Sequence, residues 1–118
     1  MNIMSVEPSD FLDASKRIIE NNIEICFRNA ASRAYYAAFH SCKTIAPETP
    51  YGGATHQKVI DDLIEDPAFR ALGYMLKQCK AIRTRADYKL DDDFLKRDAD
   101  LCISQSEKIM SRCSDLAS

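Results

Sequence analysis

The chain has 118 residues, 46% hydrophobic and 29% charged, with sixteen basic against eighteen acidic side chains and a net charge of −2. That length suits a single domain over 1–118, and the mix excludes a wholly disordered chain. No apolar run approaches the roughly 20 residues of a membrane span, and near-neutral charge leaves any nucleic-acid contact to a local patch.

The first twenty residues carry Glu7, Asp10 and Asp13 instead of a signal-peptide core. Five cysteines (Cys26, Cys42, Cys79, Cys102 and Cys113) are an odd number without a C-x-x-C pair. The expectation is a cytoplasmic protein whose reduced thiols pack as small apolar units, with no zinc site, redox motif or cofactor. His40 and His56 are too few to build a histidine-rich metal site.

Ser9 or Asp10 can cap a first helix, whose inner face carries Phe11, Leu12, Ser15, Ile18 and Ile19. Asn21 followed by Glu24 reads as a capping box for a second helix over about 23–46. That helix is rich in Ala and aromatics, apolar around most of its circumference, and therefore central. Pro47, Pro50, Gly52 and Gly53 form a loop that Thr55 can end as an N-cap. A short third helix turns Val59, Ile60, Leu63 and Ile64 inward. Asp66-Pro67 starts a fourth helix to about Ala86, striped by Leu72, Leu76, Cys79, Ile82 and Ala86, with Gly73 weakening or bending its first turns. Asp91–Asp93 starts the last helix. Its seam of Leu95, Ala99, Cys102, Ser106, Ile109, Cys113 and Leu116 suits a closely packed antiparallel partner, inside the bundle or across a dimer. The predicted fold is all-α, an antiparallel bundle of four to five helices.

Two stretches can carry chemistry. Arg33 and His40 stand seven residues apart and share one helical stripe. They read as a phosphate-holding arginine with a proton-moving histidine, or as a buried polar pair satisfied by a neighbouring helix. If structural, Arg33→Ala should markedly destabilise the domain. Between 77 and 89, Lys77, Lys80, Arg83, Arg85 and Lys89 face only Asp87, a local charge of +4. Arg83 falls on the apolar stripe, where its charge needs Asp87, Asp98 or a bound phosphate as partner. Lys77, Lys80 and Lys89 also fit a plain solvated face. His56 is expected as a surface or capping residue at the start of the third helix.

Ser32-Arg33-Ala34-Tyr35-Tyr36-Ala37-Ala38-Phe39-His40, then Thr55-His56-Gln57-Lys58-Val59-Ile60, then Arg83-Thr84-Arg85-Ala86-Asp87-Tyr88 resemble the HEPN domain family. The likeness is to its branch of small prokaryotic proteins and covers about residues 9–113. It implies a helical bundle that commonly dimerises. Many members are metal-independent endoribonucleases of toxin–antitoxin, CRISPR or phage-defence systems. Others are non-catalytic partners of a separately encoded nucleotidyltransferase. The family's ribonuclease motif is an Arg, four to six residues, then a His. Here Arg83 is followed five residues later by Tyr88, while Arg33 and His40 meet the count in mid-helix. The resemblance therefore implies RNA or nucleotide as ligand and Arg83, Arg33, His40 and Tyr88 as candidate catalytic residues. Lys77, Lys80, Arg85 and Lys89 would bind phosphate, in a homodimer or a heteromer with an antitoxin, nucleotidyltransferase-type or defence-complex subunit.

Overall fold

The computed structural model describes residues 5–46 and 56–117, all helix and connecting turns with no strand among them. The helices are α1 (Pro8–Ile18), α2 (Glu24–Ile45), α3 (His56–Glu65), α4 (Arg70–Tyr88) and α5 (Lys96–Ala117). The expected loop over 47–54 and its Thr55 cap lie outside the described residues. No helix among the described residues is long and apolar enough to cross a membrane.

The helix starts differ from those expected, each for a local reason. Pro8 opens α1, and Asp10 accepts the Glu7 N–H at 2.7 Å, so Glu7 holds the N-cap position instead of Ser9 or Asp10. At α2, Glu24 is not half of a capping box with Asn21. Its carboxylate accepts the Phe94 N–H at 3.1 Å and lies 3.4 Å from Arg28 Nε, tying the start of α2 to the start of α5. Asp66 takes up the Ala68 N–H at 2.9 Å in a turn, and α4 begins only at Arg70. Asp98, not the Asp91–Asp93 run, meets the first free N–H of α5, that of Leu95, at 2.9 Å.

α2 is central and touches the other four helices. Ala30, Ala31, Ala34, Ala37 and Ala38 are fully buried along it, which lets neighbouring backbones come close. α1 and α4 run antiparallel to α2: Ser15 Oγ reaches Ala30 O at 2.6 Å, and Arg83 and Ser32 reach Tyr36 and Asp87 across the α2–α4 seam. α5 finds its antiparallel partner in α4, where Gln105 meets Gln78 and Asp98 meets Arg85, and not in α2. Cys102 faces Ala31 and Cys113 faces Cys42, both pairs 71 residues apart, so the two helices lie parallel and in register. The predicted seam is buried from Ala99 to Cys113, whereas Leu95 and Leu116 at its ends are exposed. Ser106 on that seam is fully buried and its hydroxyl has no hydrogen-bond partner.

Gly73 serves close approach and not flexibility. A Cβ there would lie 2.8 Å from Ile64 Cγ1 and 2.9 Å from the Ile64 backbone nitrogen, so the glycine sets how near α4 comes to α3.

Candidate functional site

The facing sides of α2 and α4, closed off by the first residue of α3, bring together most of the chemistry-bearing side chains. Arg83 is the hub. Its Nη2 donates to Tyr36 Oη at 3.1 Å, and its Nε lies 2.8 Å from Asp87 Oδ2, one turn on. That Nε–H is poorly aimed: the contact is a close charge pair, and Nε is a buried donor without a well-directed acceptor. The guanidinium also sits over three rings, at 5.7 Å from Tyr35 and 5.5 Å from both Tyr36 and Tyr88. Asp87 is fixed in turn by Ser32, whose hydroxyl donates to it at 3.2 Å. Burial works against the charge on Arg83, but Tyr36, Asp87 and Tyr88 outweigh it and raise its pKa above the ordinary value.

His56 is not the surface or capping residue expected. Its ring stacks on Phe39 at 4.0 Å between centroids and 7° between planes, and its Nδ1 is 2.7 Å from the Tyr35 hydroxyl. Tyr35 is fully buried, and burial raises its pKa so that the phenol keeps its proton. The phenol then donates to Nδ1, and we assign the ring proton of His56 to Nε2 on that basis. Burial, followed by the charges of Arg83 and Lys80, lowers the His56 pKa and holds the imidazole neutral. Its spacing carried the signal: His56, Val59, Ile60 and Leu63 form one inward stripe.

His40 borders the same rings, 5.4 Å from Phe39 and 6.3 Å from Tyr36, with Phe11 of α1 at 5.4 Å on its other side. Burial, then Lys43, lowers its pKa as well. It lines a cavity of about 430 Å³ with Val6, Pro8, Phe11, Lys43 and Thr44. Two imidazoles with lowered pKa thus flank Tyr36 and Phe39, and the charged guanidinium of Arg83 lies over the Tyr36 ring on the His56 side. Such a set can attract an anion and, through a neutral imidazole, accept a proton.

Arg33 does not fit its expected place. It is exposed, on the Asn29–Arg33 edge of α2 that the other helices leave open, and among the described residues no carboxylate pairs with it. The buried arginine of α2 is Arg28, 5% exposed, which the sequence reading missed. Its Nη1 donates to the carbonyls of Arg85, Ala86 and Lys89 at 3.0–3.2 Å and its Nη2 to that of Asp92, so it closes the C-terminus of α4. It belongs to the stripe of Ala31, Tyr35 and Cys42, a spacing visible in the sequence.

The basic run divides in space. Arg85 turns away from Arg83: it lies 3.6 Å from Asp98 and 4.0 Å from Asp92, donates to Asp93 O and covers the Phe94 ring. It is a clasp between α4 and the start of α5, not a free phosphate ligand, and with Arg83 also paired the expected +4 patch shrinks. Lys80 stays beside the site, its Nζ donating to Gln57 at 2.9 Å, while Lys77 and Lys89 are exposed. Tyr88 is exposed apart from its ring contact with Arg83. Among the described residues no group of three or more His, Cys, Asp and Glu could hold a metal ion. Comparison with family models, with curated proteins and with solved structures finds no match.

Proposed function

We propose that the chain is a HEPN-type domain of a prokaryotic toxin–antitoxin or phage-defence system, directed at RNA and cleaving it without a metal. The observation that supports this is the Tyr35–His56 pair beside Arg83. The family motif would place a histidine after Arg83, where Tyr88 stands. A histidine from α3 reaches the same neighbourhood. Arg83 neutralises the scissile phosphate. His40, neutral, accepts the proton of the 2′-hydroxyl as its oxygen attacks phosphorus. His56, still neutral, donates a hydrogen bond from Nε2 to the leaving 5′-oxygen, which takes its proton from water as the P–O bond breaks. The hydroxide left is neutralised by the imidazolium of His40, and a 2′,3′-cyclic phosphate remains. Arg33 and Lys80 at the edge, with Lys77, would hold flanking phosphates, and pairing of two copies would set two such sites together.

Purified protein incubated with total RNA in EDTA tests this. Cleavage with cyclic phosphate ends is expected, falling by about 10²-fold or more in folded Arg83→Ala and His56→Ala variants. Cleavage that survives both substitutions, or RNA left intact at every protein concentration, overturns the catalytic reading. A second reading rests on the 2.8 Å approach of Asp87 to Arg83, which already compensates its charge. In it the domain is a non-catalytic binding or assembly subunit, working with a separately encoded partner such as a nucleotidyltransferase. Retained RNA binding without cleavage, or a co-purifying subunit seen by native mass spectrometry, would support it.

A further inference from the structure

The ends of α2 and α5 place two thiols in contact. Cys42 and Cys113 lie with their Sγ atoms 3.9 Å apart, one from each of two parallel helices. Cys42 is fully buried and Cys113 is 5% exposed. Cys113 also lines a cavity of about 290 Å³, with Pro8, Ser41, Thr44, Met110 and Ser114, that opens toward solvent. Cys79 and Cys102 form a second close pair, but their thiols turn to backbone carbonyls: Cys102 to Ala31 O at 3.4 Å, and each to the other's carbonyl at 4.0 Å. Both are fully buried.

We propose that Cys42 and Cys113 are a peroxide-reactive two-cysteine site, in which Cys113 meets the oxidant through the cavity and Cys42 resolves it into a disulfide joining α2 to α5. The roles follow from access, since Cys113 lines the cavity whereas Cys42 is fully buried behind it. Their contact lowers the Cys113 pKa, while that contact and burial raise the pKa of Cys42. In the first step Cys113 sulfur attacks a peroxide oxygen, the O–O bond breaks and a sulfenic acid forms, with water leaving when the peroxide is hydrogen peroxide. In the second, Cys42 sulfur attacks the Cys113 sulfur and the S–O bond breaks. Hydroxide departs with the Cys42 proton as a second water. Two thiols are oxidised by two electrons and one peroxide is reduced. The closed cross-link would fix α2 one turn beyond Phe39, the ring that carries His56.

The test uses the folded wild-type chain. It is treated with hydrogen peroxide, then alkylated after unfolding and mapped as peptides. Two of the five thiols should disappear, recovered in one Cys42–Cys113 cross-linked peptide that dithiothreitol reverses. Cys42→Ala should leave a sulfenic acid on Cys113 that dimedone captures, and Cys113→Ala should protect Cys42. Five intact thiols, a Cys79–Cys102 cross-link, or oxidation confined to Met110 would overturn the proposal, and none of these outcomes depends on the variants folding.

Discussion

Two arginines of α2 meet opposite surroundings, and their removal should show it. Arg28 is bonded to four carbonyls and lies 5.5 Å from the Phe94 ring centroid, so Arg28→Ala strands the end of α4. We expect a loss of about 3 kcal/mol or more in urea denaturation, and Arg28→Lys should not restore it because an ammonium cannot span that set. Arg33→Ala should stay within about 0.5 kcal/mol of wild type in the same assay, since it is exposed. Ser106→Ala removes an orphaned buried hydroxyl and should be neutral or stabilise by up to about 1 kcal/mol. His56 adds a pH dependence. Its folded pKa lies below the ordinary 6.5, so the unfolded chain binds its proton first as pH falls. The stability tied to neutral His56 is complete above about pH 6.5 and is lost as pH drops through the folded value. Burial sets the sign, and Arg83, Lys80, His40 and Lys43 around the ring add to it, with Tyr35 bonded to Nδ1. Melting temperatures taken from neutral pH downward should therefore decline less steeply in His56→Gln than in wild type.

At the scale of the helix, stripes and the bounds of α2 were legible, and the capping side chains were not. The buried sets of α3 and α4 follow their predicted spacing, since each helix turns one face to its neighbours. Glu24 lost its capping role to a tertiary partner, the Phe94 N–H, whereas Asp10 and Asp66 are taken by the nearby N–H groups of Glu7 and Ala68. The same limit hid the site. Arg83 and its Asp87 partner could be found along one helix, whereas His56 meets Tyr35 and Phe39 only through packing of α3 against α2. Gly73 belongs here too. Alanine would gain about 1 kcal/mol of helix propensity, but its Cβ would press on the Ile64 backbone nitrogen, which cannot rotate aside. A net loss of about 1–3 kcal/mol is expected for Gly73→Ala by chemical denaturation.

Across the whole molecule, α2 touches every other helix, and α3, which rests mainly on α4, is joined to the rest through that helix. Unfolding should be a single transition, with circular dichroism at helix wavelengths and tyrosine fluorescence giving the same midpoint; separated midpoints would mean that α3 and α4 unfold on their own. The all-helical class was readable from breakers and stripes, but the parallel course of α5 beside α2 was not, because a stripe gives a face and no direction. That arrangement has a consequence during synthesis. The alanine face of α2 leaves the ribosome long before its partner, since the paired residues stand 71 positions apart along the chain. Until Cys113 has been translated, a nascent chain carries that face uncovered, and premature termination within α5 would release a fragment prone to aggregate.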